Sequence, residues 1–143
     1  WATGPAPLVA ATRAAKQFLT FAGGTPFQHA VAAGLAAGPA LIDPLVDSLR
    51  QRRDLFCDGL EALGLPVYRP SGTYFATTDV SALGQPDALA FCWGLPERCG
   101  VVAVPSAVFY LHPAEGASLV RWAFCKRTEV LEEALVRLKA LAG

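Results

Sequence analysis

The segment that decides the fold class of this chain is LVRWAFC, residues 119–125. Its aromatic and β-branched residues predict a β-strand. Because alternate residues of a strand share a face, Val120, Trp122 and Phe124 are expected on one side of it. Arg121 then lies on the opposite face. Helical and extended segments surround this strand, so the sequence predicts an α/β domain.

Arg121 is the most informative candidate for function. An arginine in so apolar a strand must find an anion or remain a costly unpaired charge. One interpretation is structural: an internal ion pair, or a side chain whose charged end extends into solvent. The other is that the planar guanidinium binds the carboxylate of a ligand through two hydrogen bonds. The residues by themselves leave both interpretations open.

Periodicity and turn residues predict the other elements. Helices are expected at residues 5–18, 26–37, 43–63, 86–94 and 129–141, and further strands at 66–68, 73–77 and 101–104. Thr25 and Thr128 are expected to cap helices. Pro96 is expected to break or re-cap the fourth helix, and Pro105 to stop the third strand. The charged residues Arg50, Arg52, Arg53 and Asp54 are interpreted as a solvated helix face.

Composition narrows the class of protein. Hydrophobic residues make up 53% of the chain, which argues against disorder. Twelve basic residues balance twelve acidic ones, so no nucleic-acid partner is expected. The charge-free stretch between Lys16 and Asp43 is interrupted by Gly-Gly-Thr-Pro and is interpreted as a buried helix and turn, with no membrane partner.

The four cysteines lie in apolar surroundings and form no C-x-x-C pair. They are expected to be reduced thiols in a cytoplasmic protein, with no bound metal. The chain contains no methionine and begins with Trp1, so it is expected to be part of a longer protein. A shift in composition near Asp43 predicts a boundary between residues 1–42 and 43–143.

Five segments, in this order, resemble the C-terminal part of class I aminotransferases, the pyridoxal-phosphate enzymes of fold type I. The resemblance is to the branch that holds kynurenine, methionine and N-succinyldiaminopimelate aminotransferases. The segments are WATGP at residues 1–5, Phe21 with TPFQ at 25–28, RRDL at 52–55, PSGTYF at 70–75 with Asp79, and VVAVP at 101–105 through Phe109-Tyr110 to VRWAFCK at 120–126.

This resemblance implies a fold and an activity. Residues 1–42 would be the C-terminal helices of the large cofactor-binding domain, and residues 43–143 the small α/β domain. The parent protein would transfer an amino group between an amino acid and a 2-oxo acid, as a homodimer that uses pyridoxal 5'-phosphate. The family's cofactor lysine lies upstream of the segment that matches Trp1, so this chain alone would be inactive. Pro96 departs from the family, in which that helix usually continues.

The resemblance also assigns substrate-binding residues. It favours Arg121 as the group that binds the substrate α-carboxylate. Phe21 matches an aromatic residue that reaches the active site of the neighbouring subunit. Tyr74 and Phe75 match a turn near the substrate, and Phe109 and Tyr110 match a segment of the pocket wall.

Two alternatives accompany this interpretation. A cysteine-conjugate β-lyase uses the same fold and cofactor. A non-catalytic α/β module for binding or dimerisation would need no lysine at all.

Overall fold

Residues 1–141, which the computed structural model describes, contain five α-helices and four β-strands. The helices are α1 (Ala6–Leu19), α2 (Thr25–Ala37), α3 (Pro39–Ala62), α4 (Ala88–Cys99) and α5 (Thr128–Leu138). The strands are β1 (Val67–Tyr68), β2 (Phe75–Asp79), β3 (Val104–Pro105) and β4 (Leu119–Ala123). Short 3₁₀ turns occupy Val80–Leu83, Ser106–Phe109, Pro113–Gly116 and Lys139–Leu141. The predicted α/β class is confirmed.

The chain divides into two units, Trp1–Pro44 and Leu45–Gly143, and α3 contributes to both. Ala142 and Gly143, the end of the expected second domain, lie outside the described residues.

The first unit, Trp1–Pro44, contains α1, α2 and the first residues of α3, and none of its side chains is buried. The expectation of a buried helix between Lys16 and Asp43 is therefore wrong for this unit. Its large apolar side chains are exposed: Phe18, Leu19, Phe21, Phe27, Val31, Leu35 and Leu41. An apolar helix face is buried only where another element packs on it.

The second unit is built on an antiparallel sheet with the strand order β1-β2-β4-β3. The central pair is β2 with β4, in which Thr77 lies opposite Arg121 and Thr78 opposite Val120. Ala76, Thr78, Val120 and Trp122 point to one face and are buried. The predicted alternation of Val120, Trp122 and Phe124 with Arg121 is confirmed.

Helices α3, α4 and α5 cover the buried face of this sheet and form one core with it. Trp122 is its largest fully buried side chain, and its ring contacts Phe56 edge-on with centroids 6.4 Å apart. The indole Nε1 of Trp122 donates a buried hydrogen bond of 2.8 Å to the hydroxyl of Thr78. This bond joins β2 to β4 through their side chains as well as their backbones.

Several predicted boundaries were wrong, and proline explains two of them. Helix α3 starts at Pro39, where proline suits the first turn, and it continues through Pro44. Helix α4 continues through Pro96 to Cys99 and ends where the amide of left-handed Gly100 bonds to the Pro96 carbonyl at 3.0 Å. Pro96 therefore does not break the helix.

The predicted caps also differ. Thr25 and Thr128 are the first residues of α2 and α5, and the preceding Gly24 and Arg127 make no side-chain cap. Asp87 caps α4 by accepting hydrogen bonds from the amides of Leu89 and Ala90.

The strand predictions were shifted by a few residues. Strand β2 starts at Phe75 rather than Thr73, because Thr73 has a left-handed φ of 64° that ends the extended chain. Strand β3 covers only Val104–Pro105, and Pro105 pairs with Val120 instead of stopping the strand. Proline is tolerated there because β3 is an edge strand. Strand β4 ends at Ala123, although the Phe124 amide still bonds to the Tyr74 carbonyl at 2.9 Å.

All four cysteines are free thiols. Cys57 and Cys92 are buried in the core, and burial raises the pKa of both, that of Cys92 to about 11. Cys99 is half-buried and Cys125 is exposed, so the interpretation as small core residues does not extend to Cys125. Within residues 1–141 no single helix is long and apolar enough to cross a membrane; α2 and α3 meet those criteria only as a pair, which is bent by 87° at its break.

We expect Thr78→Val to destabilise the protein by about 1–3 kcal/mol, because it leaves the buried Trp122 Nε1–H without an acceptor. The midpoint and slope of urea unfolding measure this loss. The double variant Thr78→Val/Trp122→Phe is the control. The double variant removes both the donor and the acceptor. Its loss of stability should therefore be smaller than the sum of the losses in the two single variants. Unchanged stability of Thr78→Val would contradict a role for this hydrogen bond.

Candidate functional site

A cavity of about 270 Å³ lies on the face of the sheet that turns away from the core. Strands β2 and β4 supply its floor with Phe75, Thr77 and Arg121. Ser106, Phe109 and Tyr110 form a wall, and Thr73 lies at the start of β2. The antiparallel pairing of β2 with β4 thus places the cavity directly behind the core.

Arg121 is half-buried in this cavity and is packed against aromatic rings. The guanidinium carbon lies 3.7 Å from the centroid of the Phe75 ring and 5.0 Å from that of Phe109. Both distances are typical of cation–π contacts. In the part of the chain that the structure describes, no carboxylate lies within ion-pair distance of Arg121. The internal ion pair, one of the two interpretations of this residue, is therefore not present in the described chain.

The turn that leads into β2 holds Phe75 in place. Thr73 has a left-handed backbone, and its hydroxyl lies 3.4 Å from the amide nitrogen of Phe75. The Tyr74 carbonyl accepts the Phe124 amide, and the rings of Tyr74 and Phe75 pack at 4.5 Å between centroids. A left-handed conformation is uncommon outside glycine and costs free energy, which the surrounding contacts must offset.

Tyr74 does not line the Arg121 cavity. It lines a neighbouring concavity of about 310 Å³ together with Arg53, Pro70 and Phe124. The structure therefore brings Arg121, Phe75, Phe109 and Tyr110 together and leaves Tyr74 beside them.

Arg53 fastens α3 to this turn. Its Nε donates to the Asp54 carboxylate at 2.8 Å and its Nη1 donates to the Pro70 carbonyl at 3.2 Å. The hydrogen bond from Arg53 is the main cause that lowers the pKa of Asp54. The interpretation of this charge cluster as a solvated face is wrong for Arg53, whose side chain is only 23% exposed.

Arg69 extends the same network. It pairs with Asp54, Asp58 and Glu61, and its hydrogen bond to Asp58 is the main cause that raises its pKa. Arg50 fits the original interpretation, since it and its partner Asp47 are both largely exposed.

Phe21 belongs to the first unit and lines a wide concavity there, with Trp1, Lys16 and Gln28 among its neighbours. The side chain is 83% exposed and the backbone is left-handed, with φ of 59°. Hydrogen bonds from the amides of Thr20 and Phe21 to the Lys16 carbonyl, at 2.9 and 3.1 Å, hold this conformation. An exposed aromatic residue on a strained backbone is typical of a functional position.

Sequence reasoning missed Thr77 and Ser106. Thr77 enters the cavity because it is the cross-strand neighbour of Arg121, a relation that depends on register. Ser106 is only 6% exposed and begins the 3₁₀ turn of the wall. Only the β2–β4 register would have identified Thr77, and no pattern in the sequence singles out Ser106.

The lining of the cavity offers groups that can bind an anion and an apolar group. It contains one guanidinium, three aromatic rings and the hydroxyls of Thr73, Thr77, Ser106 and Tyr110. Among these lining residues there is no carboxylate, imidazole, thiol or amine. Lys16, Lys126 and Lys139 are not among them. The arrangement suits a small molecule with a carboxylate and an apolar portion.

The family model described as aminotransferase class I and II matches residues 1–138. A probable N-succinyldiaminopimelate aminotransferase, DapC, of Mycobacterium tuberculosis H37Rv is 46% identical, over 99% of this chain and 38% of its own length. The methionine aminotransferase of Escherichia coli K12 is 38% identical, over 96% of this chain and 35% of its own.

Solved structures agree with these matches. The N-succinyldiaminopimelate aminotransferase from Mycobacterium tuberculosis superposes with a TM-score of 0.86, at 46% identity, over 99% of this chain and 37% of that one. A mutant of Thermus thermophilus aspartate aminotransferase superposes with a TM-score of 0.79, at 30% identity, over 96% of this chain and 35% of that one. The chain thus spans less than two fifths of the length of the relatives it matches.

Proposed function

The chain belongs to the class I and II aminotransferase family, and from this membership we propose that it is the C-terminal part of a pyridoxal-phosphate-dependent aminotransferase. The whole protein would transfer an amino group between an amino acid and a 2-oxo acid. The observation that carries the proposal is Arg121, a half-buried cation with aromatic neighbours and no carboxylate partner in the described chain, in an open cavity. We further propose that residues 1–42 belong to the large domain and residues 43–143 to the small one.

In this proposal Arg121 binds the α-carboxylate of every substrate. A guanidinium presents its N–H donors in one plane, which matches the two oxygens of a carboxylate. The charge that the described chain leaves unpaired is then neutralised by the substrate. The rings of Phe109 and Tyr110 contact the apolar part of the ligand, and Thr77 and Ser106 offer hydroxyls at its edge.

Pyridoxal phosphate would be held by residues outside this chain. When bound, the cofactor withdraws electrons from the substrate α-carbon, while the protein supplies binding and orientation. The three lysines of this chain lie away from the Arg121 cavity, which supports a cofactor lysine elsewhere in the parent. Residues 1–143 alone are therefore proposed to be inactive.

We also propose that the parent is a cytoplasmic homodimer. The exposed apolar side chains of α1 and α2 support a docking role, because large apolar patches mark interfaces. Phe21 lies in this unit, where the family's aromatic residue reaches the neighbouring subunit. The free cysteines are typical of a reducing compartment.

We expect Arg121→Ala in the full-length protein to lower kcat/KM for every amino-acid donor by a similar factor. Losing one partner of a buried charge pair costs about 2–5 kcal/mol, which is about 30- to 5,000-fold in rate. Arg121→Lys should recover only part of this, because lysine keeps the charge but loses the planar fork. Steady-state kinetics with a panel of amino acids and 2-oxoglutarate measures the effect.

Melting curves of the same variants provide the control. If Arg121 had only a structural role, its substitution would lower the melting temperature and leave the folded enzyme with normal turnover. Near-normal kcat/KM in a stably folded Arg121→Ala enzyme would end the carboxylate assignment. Analysis of the products separates transamination from β-elimination, since a β-lyase releases ammonia and pyruvate from cysteine conjugates.

Residues 1–143, incubated with pyridoxal phosphate and reduced with borohydride, should give no pyridoxyl adduct at a specific lysine. Mass spectrometry of a tryptic digest measures this. The full-length protein, treated alike, should give one labelled peptide from outside these residues. A stoichiometric adduct at Lys16, Lys126 or Lys139 would contradict the proposal.

A charge on the apolar face of α2 should dissociate the full-length dimer. Leu35→Glu places a carboxylate among exposed apolar side chains, and burying it unpaired at an interface is costly. Sedimentation velocity should show a shift from dimer to monomer. Val136→Glu, at an exposed position of α5, is the matched control and should remain dimeric. A dimeric Leu35→Glu protein would place the interface elsewhere.

A further inference from the structure

The sheet register places Phe75 and Arg121 on one face as diagonal neighbours. Phe75 lies opposite Ala123, and Arg121 lies opposite Thr77, two residues away on each strand. Diagonal neighbours of this kind are within reach of each other when the side chains are aromatic or long. The 3.7 Å between the guanidinium carbon and the Phe75 centroid shows that they meet with the cation over the ring.

We propose that Phe75 is a positioning residue for Arg121: its ring covers one face of the guanidinium and keeps the in-plane N–H groups directed at the substrate carboxylate. This inference rests on the proposed function of Arg121. The two contacts do not compete, because a cation–π contact uses the face of the guanidinium and a carboxylate uses its edge.

Phe75 is better suited to this role than the second ring. Phe109 lies farther from the guanidinium, at 5.0 Å, and its side chain is 62% exposed. Phe75 is half-buried and is held by the left-handed Thr73, by β2 pairing and by the ring of Tyr74. A rigid ring restricts the rotamers of a long side chain, so less conformational entropy is lost when the ligand binds.

Four other arginines of the chain have different partners. Arg50, Arg53, Arg69 and Arg137 each pair with a carboxylate. A carboxylate beside Arg121 would compete with the substrate for the same N–H groups. An aromatic ring orients the cation without occupying those donors, which suits a site that must remain open to an anion.

The experiment uses full-length holoenzyme and four variants: Phe75→Leu, Phe75→Met, Phe75→Tyr and the control Tyr68→Leu. Leucine and methionine keep apolar volume but remove the π face, and tyrosine retains it. Tyr68 is an exposed aromatic on the same sheet and lies outside the cavity lining. Removing a cation–π contact should lower kcat/KM for the best donor of the amino-acid panel about 3- to 30-fold in the leucine and methionine variants. Phe75→Tyr retains the ring face and should recover part of this loss, whereas Tyr68→Leu should stay near the wild-type value.

A binding measurement separates positioning from packing. The probes are the deamino carboxylic acid of that donor and its carboxamide, with affinities from isothermal titration calorimetry. Phe75→Leu should weaken the binding of the carboxylic acid by the same factor by which it lowers kcat/KM. It should leave the binding of the carboxamide unchanged. Equal weakening of both probes would overturn the proposal, since it would indicate loss of apolar contact alone.

The double variant Phe75→Leu/Arg121→Ala completes the cycle. If Phe75 acts through the guanidinium, its substitution causes no further loss of kcat/KM once Arg121 is absent. The inference on Phe75 would be overturned if the losses of activity in the double variant were additive. It would also be overturned if Phe75→Leu had wild-type activity while Arg121→Ala was strongly impaired. Either outcome would leave the proposed function intact. An Arg121→Ala enzyme with normal activity would overturn both.

Discussion

The pairing of β2 with β4 is the constraint on which the second unit depends. Alternation along these strands sends Ala76, Thr78, Val120 and Trp122 into the core and turns Phe75, Thr77 and Arg121 to the other side. A slip of one residue would exchange the two faces and would bury the arginine in place of Trp122. The buried hydrogen bond between Trp122 and Thr78 opposes such a slip, because it forms in one register only. The core and the cavity are therefore two consequences of one pairing.

The arginines of the described chain have different partners. Four of them pair with nearby carboxylates, and one such network, through Arg53 and Arg69, fastens α3 to the turn before β2. Those pairs are exposed or half-exposed, so each stabilises the fold only modestly. Arg121 packs against aromatic rings instead, and in our proposal its N–H groups bind the substrate carboxylate. The fold thus keeps an unneutralised cation where a carboxylate ligand can reach it.

The two units differ in how much of their apolar surface they bury. The second has a sheet and three helices that share a core. The first has helices with exposed apolar faces and no buried side chain. The chain spans less than two fifths of its relatives' length, and these faces suit the packing surfaces of a larger protein. The short length of the chain relative to these proteins also supports our proposal that residues outside it hold the cofactor.

Local patterns determined much of this structure. Alternation predicted which residues of β4 share a face, apolar periodicity predicted the helices, and the ordered motifs predicted the family and directed attention to Arg121. These features depend on near neighbours in the chain, so they can be recognised in the sequence. The wrong predictions involve local signals that the structure overrides. Pro44 and Pro96 lie inside helices, and Pro105 is tolerated because its strand is at the edge of the sheet.

Only the tertiary structure decided what surrounds Arg121. The distance from Arg121 to Phe75 follows from the register between strands that are more than 40 residues apart in the chain, and Thr77 enters the cavity for the same reason. Whether Arg121 has a carboxylate partner, and whether Arg53 is solvated or bonded to Pro70, likewise depends on which distant segments meet. A sequence specifies the chemical groups of such a site, but long-range pairing decides which of them are in contact.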